Sequence, residues 1–420
     1  MSGNNLLSVD QALKRVLAGV SVLPAERVSL SEALGRVLVE PAIAGDDLPP
    51  FANSSMDGYA VRAVDIAKAT EEEPALLRII ADIPAGAVPD VAVTPGTAAR
   101  IMTGAPLPPG ADAIVPVEFT SEPWRQSDRP LMDQIEVRRS VQSGDYVRWP
   151  GEDVRAGTEV LPSGHVLRPQ EIGVLSALGL TELAVVKSPR VAVLATGDEL
   201  IPVDEPLIPG KIRNSNSFTL VAQIRSLGAT PIDLGVAKDT YADVQLKLQD
   251  GLDSGVDLFI STAGVSVGVY DVVKDVLAAG GEVGFWRVNM RPGKPLAFGT
   301  YGDTPYLGLP GNPVSAMVSF ERFVRPAILK LSGHRNLERP RVRATIQEDI
   351  NSDGRESYLR AIVKQDEGKY VVDLSGRQGS HVMTSLVYAN ALLIVPAGVK
   401  HLSAGQEAEV MMIDWPETVF

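Results

Sequence analysis

Acidic residues follow predicted strands in the central part of the chain. "ATGDEL" holds Asp198 and Glu199, "VAKDTY" holds Asp239, and "STAGVSVGVYD" holds Ser266 and Asp271. In a parallel sheet such loops meet at the carboxyl ends of the strands, where ligands bind. Carboxylates gathered there suit a hard cation with oxygen ligands, such as Mg²⁺. The alternative for Asp198 and Asp271, taken singly, is a plain helix cap.

A second group of candidate residues is cationic. "WRVNMRPGKP" places Arg287, Arg291 and Lys294 within one short stretch. If this stretch is extended, Arg287, Asn289 and Arg291 share one face, and the Pro-Gly-Lys-Pro turn puts Lys294 beside it. The alternative is a solvated strand edge that is kept polar against aggregation. Cations and carboxylates in one pocket are typical of magnesium-assisted phosphate chemistry.

The stretch "GLPGNPVSA" predicts an abrupt passage from an apolar strand into a helix. The first backbone N–H groups of a helix have no partner inside it, so they suit phosphate or another oxyanion. The usual nucleotide motifs are absent: "RPGKP" has Pro295 where a P-loop needs a hydroxyl, and no G-x-G-x-x-G follows the first strand. The loop therefore predicts an oxyanion site outside the common nucleotide-binding classes.

Composition limits the class of protein. The chain has 420 residues, no cysteine, four scattered histidines and a net charge of −13. This length predicts several domains. The lack of cysteine excludes disulfides, thiolate metal sites and a cysteine nucleophile. The negative charge argues against nucleic acid as a main partner. Because no long apolar run and no secretory signal are present, we expect a cytoplasmic protein that does not bind a membrane.

The chain divides into four parts that differ in amino-acid composition and in the predicted pattern of strands and helices. We predict a discontinuous N-terminal and linker domain (1–50 with 145–188), a β-rich inserted domain (51–144), an α/β domain (189–333) and a C-terminal β domain (334–420). In the α/β part strands alternate with helices, which predicts a mainly parallel sheet. The last part, with five short strands, predicts a small barrel or sandwich.

Two helices are predicted near the N-terminus. Ser8 and Gln11 form a capping box for the first helix. The second helix covers "SLSEALGRVL", with Ser31 as its cap.

Seven motifs together resemble one known family. "SMDGYA", "RIMTGAPLPPGADAIVPVE", "ATGDEL", "GVSVGVYDVVK", "RPGKPLAF", "GLPGNPVSA" and "GRQGSH" look like those of the molybdopterin molybdenumtransferases, which are similar to the E domain of gephyrin. They occur in the family's order across most of the chain. The resemblance implies a central α/β domain of the molybdopterin-binding type, a β-rich insert, an elongated linker region and a C-terminal β-barrel.

The resemblance also implies a reaction. The family hydrolyses the phosphoanhydride of molybdopterin adenylate, releases AMP and inserts molybdate into the dithiolene, with Mg²⁺ as the metal. The thiols belong to the substrate, so a chain without cysteine can catalyse it. The implied enzyme is a homodimer with composite sites, in which the β-rich insert of one subunit closes over the α/β domain of its partner. The adenylyltransferase that supplies the substrate is a candidate docking partner.

Residue roles are carried over by motif. The implied catalytic residues are Asp57, Asp271 and Glu199, and the implied metal ligands are Glu199, Asp239 and Asp271. Ser266, Arg291, Lys294 and Ser315 are assigned to the molybdate pocket, which Arg360 and Ser380 close from the barrel. The full set of implied substrate-binding residues is Thr103, Asp239, Ser266, Arg287, Arg291, Lys294, Pro310, Asn312, Pro313, Ser315, Arg360 and Ser380. Glu118 is a weaker candidate, and a structural Asp-Gly turn is the alternative for Asp57.

The sequence departs from the family pattern at two places. Arg287 and Arg291 stand where many members have lysine. The positive charge is kept, but a planar guanidinium takes the place of a compact ammonium group. Val269 and Tyr270 stand where an acidic residue is common, which predicts a weaker metal contact. Three alternatives stay open: a molybdopterin adenylyltransferase, a gephyrin-like scaffold without activity, and an enzyme selective for tungstate.

Overall fold

A computed structural model describes residues 6–122, 131–263 and 272–415. The chain forms two compact units. The larger unit comprises Met1–Val28, Gly35–Val39 and Ala184–Phe420, and the smaller unit comprises Ser29–Leu34 and Glu40–Leu183. The four-domain division is finer than these two units and stays a prediction. Within the described ranges, no helix is long and apolar enough to cross a membrane.

The N-terminal helix α1 (Val9–Ala18) begins with the predicted capping box. The Gln11 N–H donates to Ser8 Oγ at 3.1 Å, and the Ser8 N–H donates to Gln11 Oε1 at 3.2 Å. The two bonds satisfy backbone donors that the first turn leaves without a partner. Val9 and Val16 are fully buried in the main core of the larger unit.

The second predicted helix is wrong. "SLSEALGRVL" forms only a 3-10 turn at Leu30–Glu32. Gly35 has a φ of +75°, a left-handed conformation that a helix cannot contain. Leu38 then forms an antiparallel β-bridge with Val185. The backbone of this stretch is therefore used for a turn and a bridge rather than for helical hydrogen bonds.

The smaller unit is built on a five-stranded sheet, in the order β7-β4-β6-β5-β8. The β5–β6 pair is parallel and the other pairs are antiparallel. Tyr59, Leu77 and Ile135 are buried in its core. This region is β-rich, as predicted. The elements from β1 to β11, in chain order, are β1 (Ala25–Ser29), β2 (Ala42–Ile43), β3 (Asn53–Ser54), β4 (Gly58–Val61), β5 (Ala75–Ile83), β6 (Thr97–Ile101), β7 (Ala113–Pro116), β8 (Gln134–Val137), β9 (Val147–Arg148), β10 (Glu159–Leu161), α2 (Pro169–Ala177) and β11 (Glu182–Val186).

A six-stranded sheet forms the centre of the larger unit, in the order β15-β12-β16-β20-β19-β17. β15, β12, β16 and β20 are parallel, as predicted, and β19 and β17 add an antiparallel edge. The elements are β12 (Arg190–Thr196), β13 (Leu200–Ile201), β14 (Ile212–Arg213), α3 (Ser215–Ser226), β15 (Thr230–Ala237), α4 (Tyr241–Asp253), β16 (Leu258–Thr262), α5 (Val272–Gly280), β17 (Gly281–Arg287), β18 (Met290–Arg291), β19 (Pro295–Tyr301), β20 (Thr304–Leu309), α6 (Pro313–Ser319) and α7 (Arg325–Leu331). A π-helical segment, Phe320–Val324, joins α6 to α7.

Both faces of this sheet are covered. Along β12, Val191 and Val193 face one apolar cluster, while Ala192 and Leu194 face another. All four side chains are at most 1% exposed. A strand that is buried on both sides needs a continuous apolar run, which explains why "RVAVLAT" does not alternate with polar residues.

The C-terminal strands form a closed barrel, which settles the choice between a barrel and a sandwich. Five strands pair in the ring β23-β24-β21-β27-β25, and β25 pairs with β23 to close it. β18, from the region before the barrel, pairs with β23 in parallel. The elements are β21 (Arg341–Ile346), β22 (Ile350–Asn351), β23 (Glu356–Asp366), β24 (Lys369–Leu374), α8 (Thr384–Val387), β25 (Ala391–Val395), β26 (His401–Leu402) and β27 (Glu407–Met412).

Candidate functional site

A cleft of about 850 Å³ lies in the larger unit, at the carboxyl ends of parallel strands. β12, β16 and β20 end at Thr196, Thr262 and Leu309, and the residues at or just after these ends line the cleft. The cleft is the place where an open parallel sheet binds ligands. It gathers many of the residues that the motifs select: Glu199, Arg291, Lys294, Pro310, Asn312, Pro313, Ser315 and Ser380.

The lining of the cleft is cationic. Among the described lining residues, Arg213, Arg291, Lys294 and Arg355 are cations, and Glu199 is the one acid. The whole chain carries a net charge of −13, so this local excess of positive charge runs against the average of the molecule. A concave site with such an excess attracts and holds anionic ligands.

The loop between β20 and α6 and the first turn of α6 are each held by a neighbouring segment. Asn216 Nδ2 donates to the carbonyl oxygen of Gly311 at 2.8 Å. The Val314 N–H donates to the carbonyl oxygen of Ser380, in the barrel, at 3.2 Å. Ser315 is 5% exposed and lines the cleft at the start of the helix. The loop is therefore fixed by its neighbours before any ligand binds.

The cationic turn packs against the same helix. The Val288 N–H donates to the carbonyl oxygen of Lys294 at 2.7 Å, which closes the turn. Gly293 has a φ of +102°, and a Cβ atom at this position would lie 2.6 Å from Ser319 Oγ. Only glycine permits this conformation and this approach without strain. Arg291 and Lys294 line the cleft, but Arg287, at the end of β17, does not. Its proposed contact with substrate stays a prediction.

Arg360 lies fully buried beside the cleft rather than in its lining. Its Nε donates to Ser385 Oγ at 3.0 Å, and its Nη2 donates to the carbonyl oxygens of Gly379 at 3.1 Å and Arg377 at 3.3 Å. Its buried Nη1 has no hydrogen-bond partner in the described part of the chain. Burial, and secondarily the positive charge of Arg291, lowers the pKa of Arg360 to about 10, so it stays charged near neutral pH. A buried, charged and unpaired donor suits an oxyanion.

The acidic candidates separate into distinct groups. Glu199 lines the cleft. Asp239 does not line it, but Asp239 and Asp198 contact each other's backbone: the Asp198 N–H donates to Asp239 Oδ2 at 3.4 Å, and the Asp239 N–H donates to Asp198 Oδ1 at 3.3 Å. Asp198 is not the cap of α3, since Asn214 occupies that position. Ser266 and Asp271 lie outside the described residues, as do Val269 and Tyr270.

The donor chemistry near the cleft is compatible with magnesium. Within the described ranges, no group of three or more His, Cys, Asp or Glu side chains is placed to hold a metal. Mg²⁺ rarely needs such a group, because it commonly binds through one or two carboxylates, several waters and the phosphates of a substrate. Glu199 and the Asp198–Asp239 pair supply only oxygen donors. The residues therefore fit a Mg²⁺ ion whose remaining ligands come from substrate and water.

Asp57 and Thr103 lie together in the smaller unit. Asp57 Oδ1 accepts hydrogen bonds from the Thr103 N–H at 2.7 Å and from Thr103 Oγ1 at 2.8 Å. The strand that follows Asp57, β4, pairs with β6 and β7 and not with β3, so the Asp-Gly turn does not make a simple hairpin. Both residues are exposed, as is Glu118 in the same unit. Their predicted roles in substrate binding and catalysis stay predictions.

The sequence analysis did not select several of the polar residues that line the cleft. Arg213 and Asn216 belong to "RNSNS", a polar cluster that spans the start of α3, and a polar cluster at a helix start could have indicated a binding site. Gln378 stands inside the motif "GRQGSH". Arg355 comes from the segment just before β23 and reaches the cleft only because the barrel packs beside it, so its position could not be read from the local sequence.

Comparisons with known proteins match this architecture region by region. Residues 7–179 match the MoeA N-terminal region (domain I and II), residues 192–330 match a probable molybdopterin binding domain, and residues 343–413 match the MoeA C-terminal region (domain IV). The molybdopterin biosynthesis moeA protein from Pyrococcus horikoshii has a similar structure. Its TM-score is 0.79 at 31% identity, over 97% of this chain and 100% of that one.

Two relatives show the same match over nearly their whole length. Molybdopterin molybdenumtransferase 2 of Mycobacterium tuberculosis is 41% identical over 390 residues, which is 91% of this chain and 94% of the relative. Molybdopterin molybdenumtransferase of Bacillus subtilis is 35% identical over 421 residues, which is 98% of this chain and 97% of the relative.

Fold and cleft together define a multidomain protein with a molybdopterin-binding type of α/β domain and a C-terminal barrel. With relatives this similar, the chain belongs to the molybdopterin molybdenumtransferase family. It is thus a transferase of molybdenum cofactor biosynthesis.

Proposed function

We propose that the cleft binds molybdopterin adenylate and molybdate, hydrolyses the phosphoanhydride with release of AMP, and inserts molybdate into the dithiolene in a Mg²⁺-dependent reaction. The observation that carries this proposal is the lining of four cations against one acid, with the unpaired Nη1 of Arg360 beside it. Both substrates are anions, so each gains from such a site.

The residues of the chain have separate roles in this proposal. Arg291 and Lys294 bind anionic oxygen atoms, and Ser315 donates a hydrogen bond from the start of its helix. Arg360 presents its unpaired Nη1 to molybdate. Glu199 and Asp239, with Asp271, would hold the magnesium ion, which when bound supplies charge neutralisation at the phosphates. The activation barrier is lowered by the orientation of the bound substrates rather than by a nucleophilic side chain.

The proposal includes an assembly and a location. The enzyme is a homodimer whose composite sites use Asp57 and Thr103 from the partner subunit's smaller unit, and the adenylyltransferase that makes the substrate docks on it. It works in the cytoplasm, where the thiols of the dithiolene are kept reduced.

The decisive experiment measures AMP release from molybdopterin adenylate by the purified protein, with and without Mg²⁺ and molybdate. We expect release to require both, with recovery of activity in an apo-molybdoenzyme. Consumption of ATP would instead support an adenylyltransferase, and tight adenylate binding without release would support a scaffold. A clear preference for tungstate in the same assay would support the tungstate-selective alternative.

A further inference from the structure

Two residues outside the assigned set, Asp353 and Arg355, lie beside Arg291 at the edge of the cleft. Arg355 Nε and Nη2 donate to Asp353 Oδ2 at 3.1 Å and 2.5 Å. Arg355 Nη1 donates to the carbonyl oxygen of Met290, the residue before Arg291, at 3.2 Å. All three guanidinium nitrogens of Arg355 are thus engaged, although this residue lines the cleft.

The same carboxylate also contacts Arg291. Asp353 Oδ2 lies 3.5 Å from Arg291 Nη1, so one oxygen atom serves both arginines. The backbone adds a second tie, because Arg291 in β18 pairs with Ser357 in β23. Main chain and side chain of Arg291 are therefore both held by the segment that carries Asp353 and Arg355.

Stability alone does not explain this arrangement. The side chains of Asp353 and Arg291 are 38% and 45% exposed, and ion pairs with such exposure contribute only about 0–1 kcal/mol to stability. Hydrogen bonds from Arg355, and the charge of Arg291, lower the pKa of Asp353, so the carboxylate stays charged. A permanent negative charge beside an anion-binding cleft weakens anion binding. The Asp353 carboxylate therefore needs a role at the cleft that offsets this loss of affinity.

We propose that Asp353 and Arg355 form a clasp that orients the Arg291 guanidinium toward the oxyanion in the cleft. Arg355 is then a positioning residue that acts through Arg291. An arginine side chain loses conformational entropy when it is ordered. Because the clasp already orders Arg291 in the free protein, less of this entropy is lost when the ligand binds. The inference rests on the proposed molybdate pocket and adds to it two residues that the family motifs did not select.

The test measures binding of molybdate alone to the full-length protein by isothermal titration calorimetry. Arg355→Lys cannot keep three directed bonds, and we expect its Kd for molybdate to rise about tenfold. Arg341→Lys is the matched control: Arg341 also pairs with carboxylates on the barrel and has nearly the same side-chain exposure, 32% against 30%, but does not line the cleft. Its Kd should equal that of the wild type.

A second variant separates orientation from charge. Asp353→Asn removes a negative charge, so simple electrostatics predicts tighter molybdate binding, whereas the clasp predicts weaker binding. The double variant Arg291→Lys/Arg355→Lys should bind no more weakly than Arg291→Lys alone, because the two residues act in series.

The outcomes distinguish the clasp from the pocket that it serves. Tighter binding by Asp353→Asn, or additive losses in the double variant, would overturn the clasp. If Arg291→Ala loses molybdate while Arg355→Lys binds normally, the pocket stands and the clasp fails. If neither the wild type nor any variant binds molybdate, both the pocket and the clasp fail. Melting temperatures measured for each variant show that a loss reflects the site and not unfolding.

Discussion

At the scale of single residues, the site depends on donors and charges that are fixed in advance. Arg360 is fully buried, yet its Nη1 has no partner in the described part of the chain. Leaving such a donor unpaired is costly, and a ligand that pairs with it regains that free energy. Ser319 Oγ, beside Gly293, is likewise buried and unpaired in the described residues. In the proposed function, a ligand that pairs with Nη1 of Arg360 would thus gain affinity from this donor.

Arg360→Ala should raise the molybdate concentration needed for half-maximal cofactor formation by about tenfold or more, since a hydrogen bond to a charged group is lost. Adenylate binding should change much less, because the proposal assigns the unpaired Nη1 of Arg360 to molybdate. Titrating each substrate separately checks this. Arg360→Lys is the companion variant, because lysine keeps the positive charge but lacks the forked donors of the guanidinium group. Equal losses for both substrates would remove Arg360 from the molybdate pocket.

Gly293→Ala should destabilise the turn by roughly 1–3 kcal/mol, because alanine is strained at a φ of +102° and its Cβ would meet Ser319 Oγ at 2.6 Å. Ser319→Ala alone removes a buried unpaired hydroxyl and should be neutral or stabilising. The double variant Gly293→Ala/Ser319→Ala should recover the stability lost to the steric contact, but not the stability lost to backbone strain at Gly293. Thermal unfolding of the two single variants and the double variant measures this, and strictly additive effects would contradict the contact.

At the scale of elements, the sequence predicts regular segments well where periodicity and flanking signals agree. The continuous apolar run "RVAVLAT" forms β12, and the capping box predicted from Ser8 and Gln11 is present at the start of α1. "SLSEALGRVL" was wrong because Gly35 adopts a left-handed turn and Leu38 joins a bridge to a segment far along the chain. The cleft position of Arg355 was missed for the same reason: it depends on pairing between distant segments.

Helix α2 offers a test of pH dependence. The Glu171 carboxylate accepts hydrogen bonds from the Arg168 N–H at 2.9 Å and from Arg168 Nη2 at 2.6 Å. These bonds with Arg168, assisted by His165, lower the pKa of Glu171 to about 2. Because the charged form is favoured in the folded state, its stabilisation is complete above the unfolded pKa and is lost as the pH falls toward 2.

Glu171→Gln should therefore melt at a lower temperature than the wild type at pH 6. This difference should shrink as the pH falls from about 4.5, near the ordinary pKa of glutamate, toward 2. Melting curves across this range provide the measurement. Glu72→Gln, in an exposed acidic run of the same unit, is the control and should show little difference at any pH. A gap that stays constant with pH would contradict the role of the Glu171 charge.

At the scale of the whole molecule, the predicted site residues belong to two compact units. Asp57 lies in the smaller unit, and Glu199 and Arg360 lie in the larger unit. The proposed homodimer explains this division, because a composite site takes one part from each subunit. The proposal leads to a quantitative test that needs no structure of the complex.

At a molybdate concentration well below the one that Arg360→Ala needs, Asp57→Asn and Arg360→Ala should each have little activity, but a mixture of the two variants should recover activity after subunit exchange. In a composite dimer, each mixed pair has one site with both changes and one intact site. Random pairing then gives about a quarter of the wild-type activity. AMP release from the mixed and unmixed variants measures this. No recovery after proven exchange would place both residues in sites formed by a single subunit.

The pairing of β18 with β23 has a consequence for how the protein reaches its native state. The cleft takes its walls from Thr196 through His381, so it cannot exist until the barrel has closed and captured Met290 and Arg291. A chain whose barrel is unfolded therefore lacks the complete cleft and, with it, the proposed anion site. By mass action, a bound oxyanion then protects the barrel as well as the sheet from unfolding. We therefore expect molybdate to slow proteolysis of the sheet and of the barrel together.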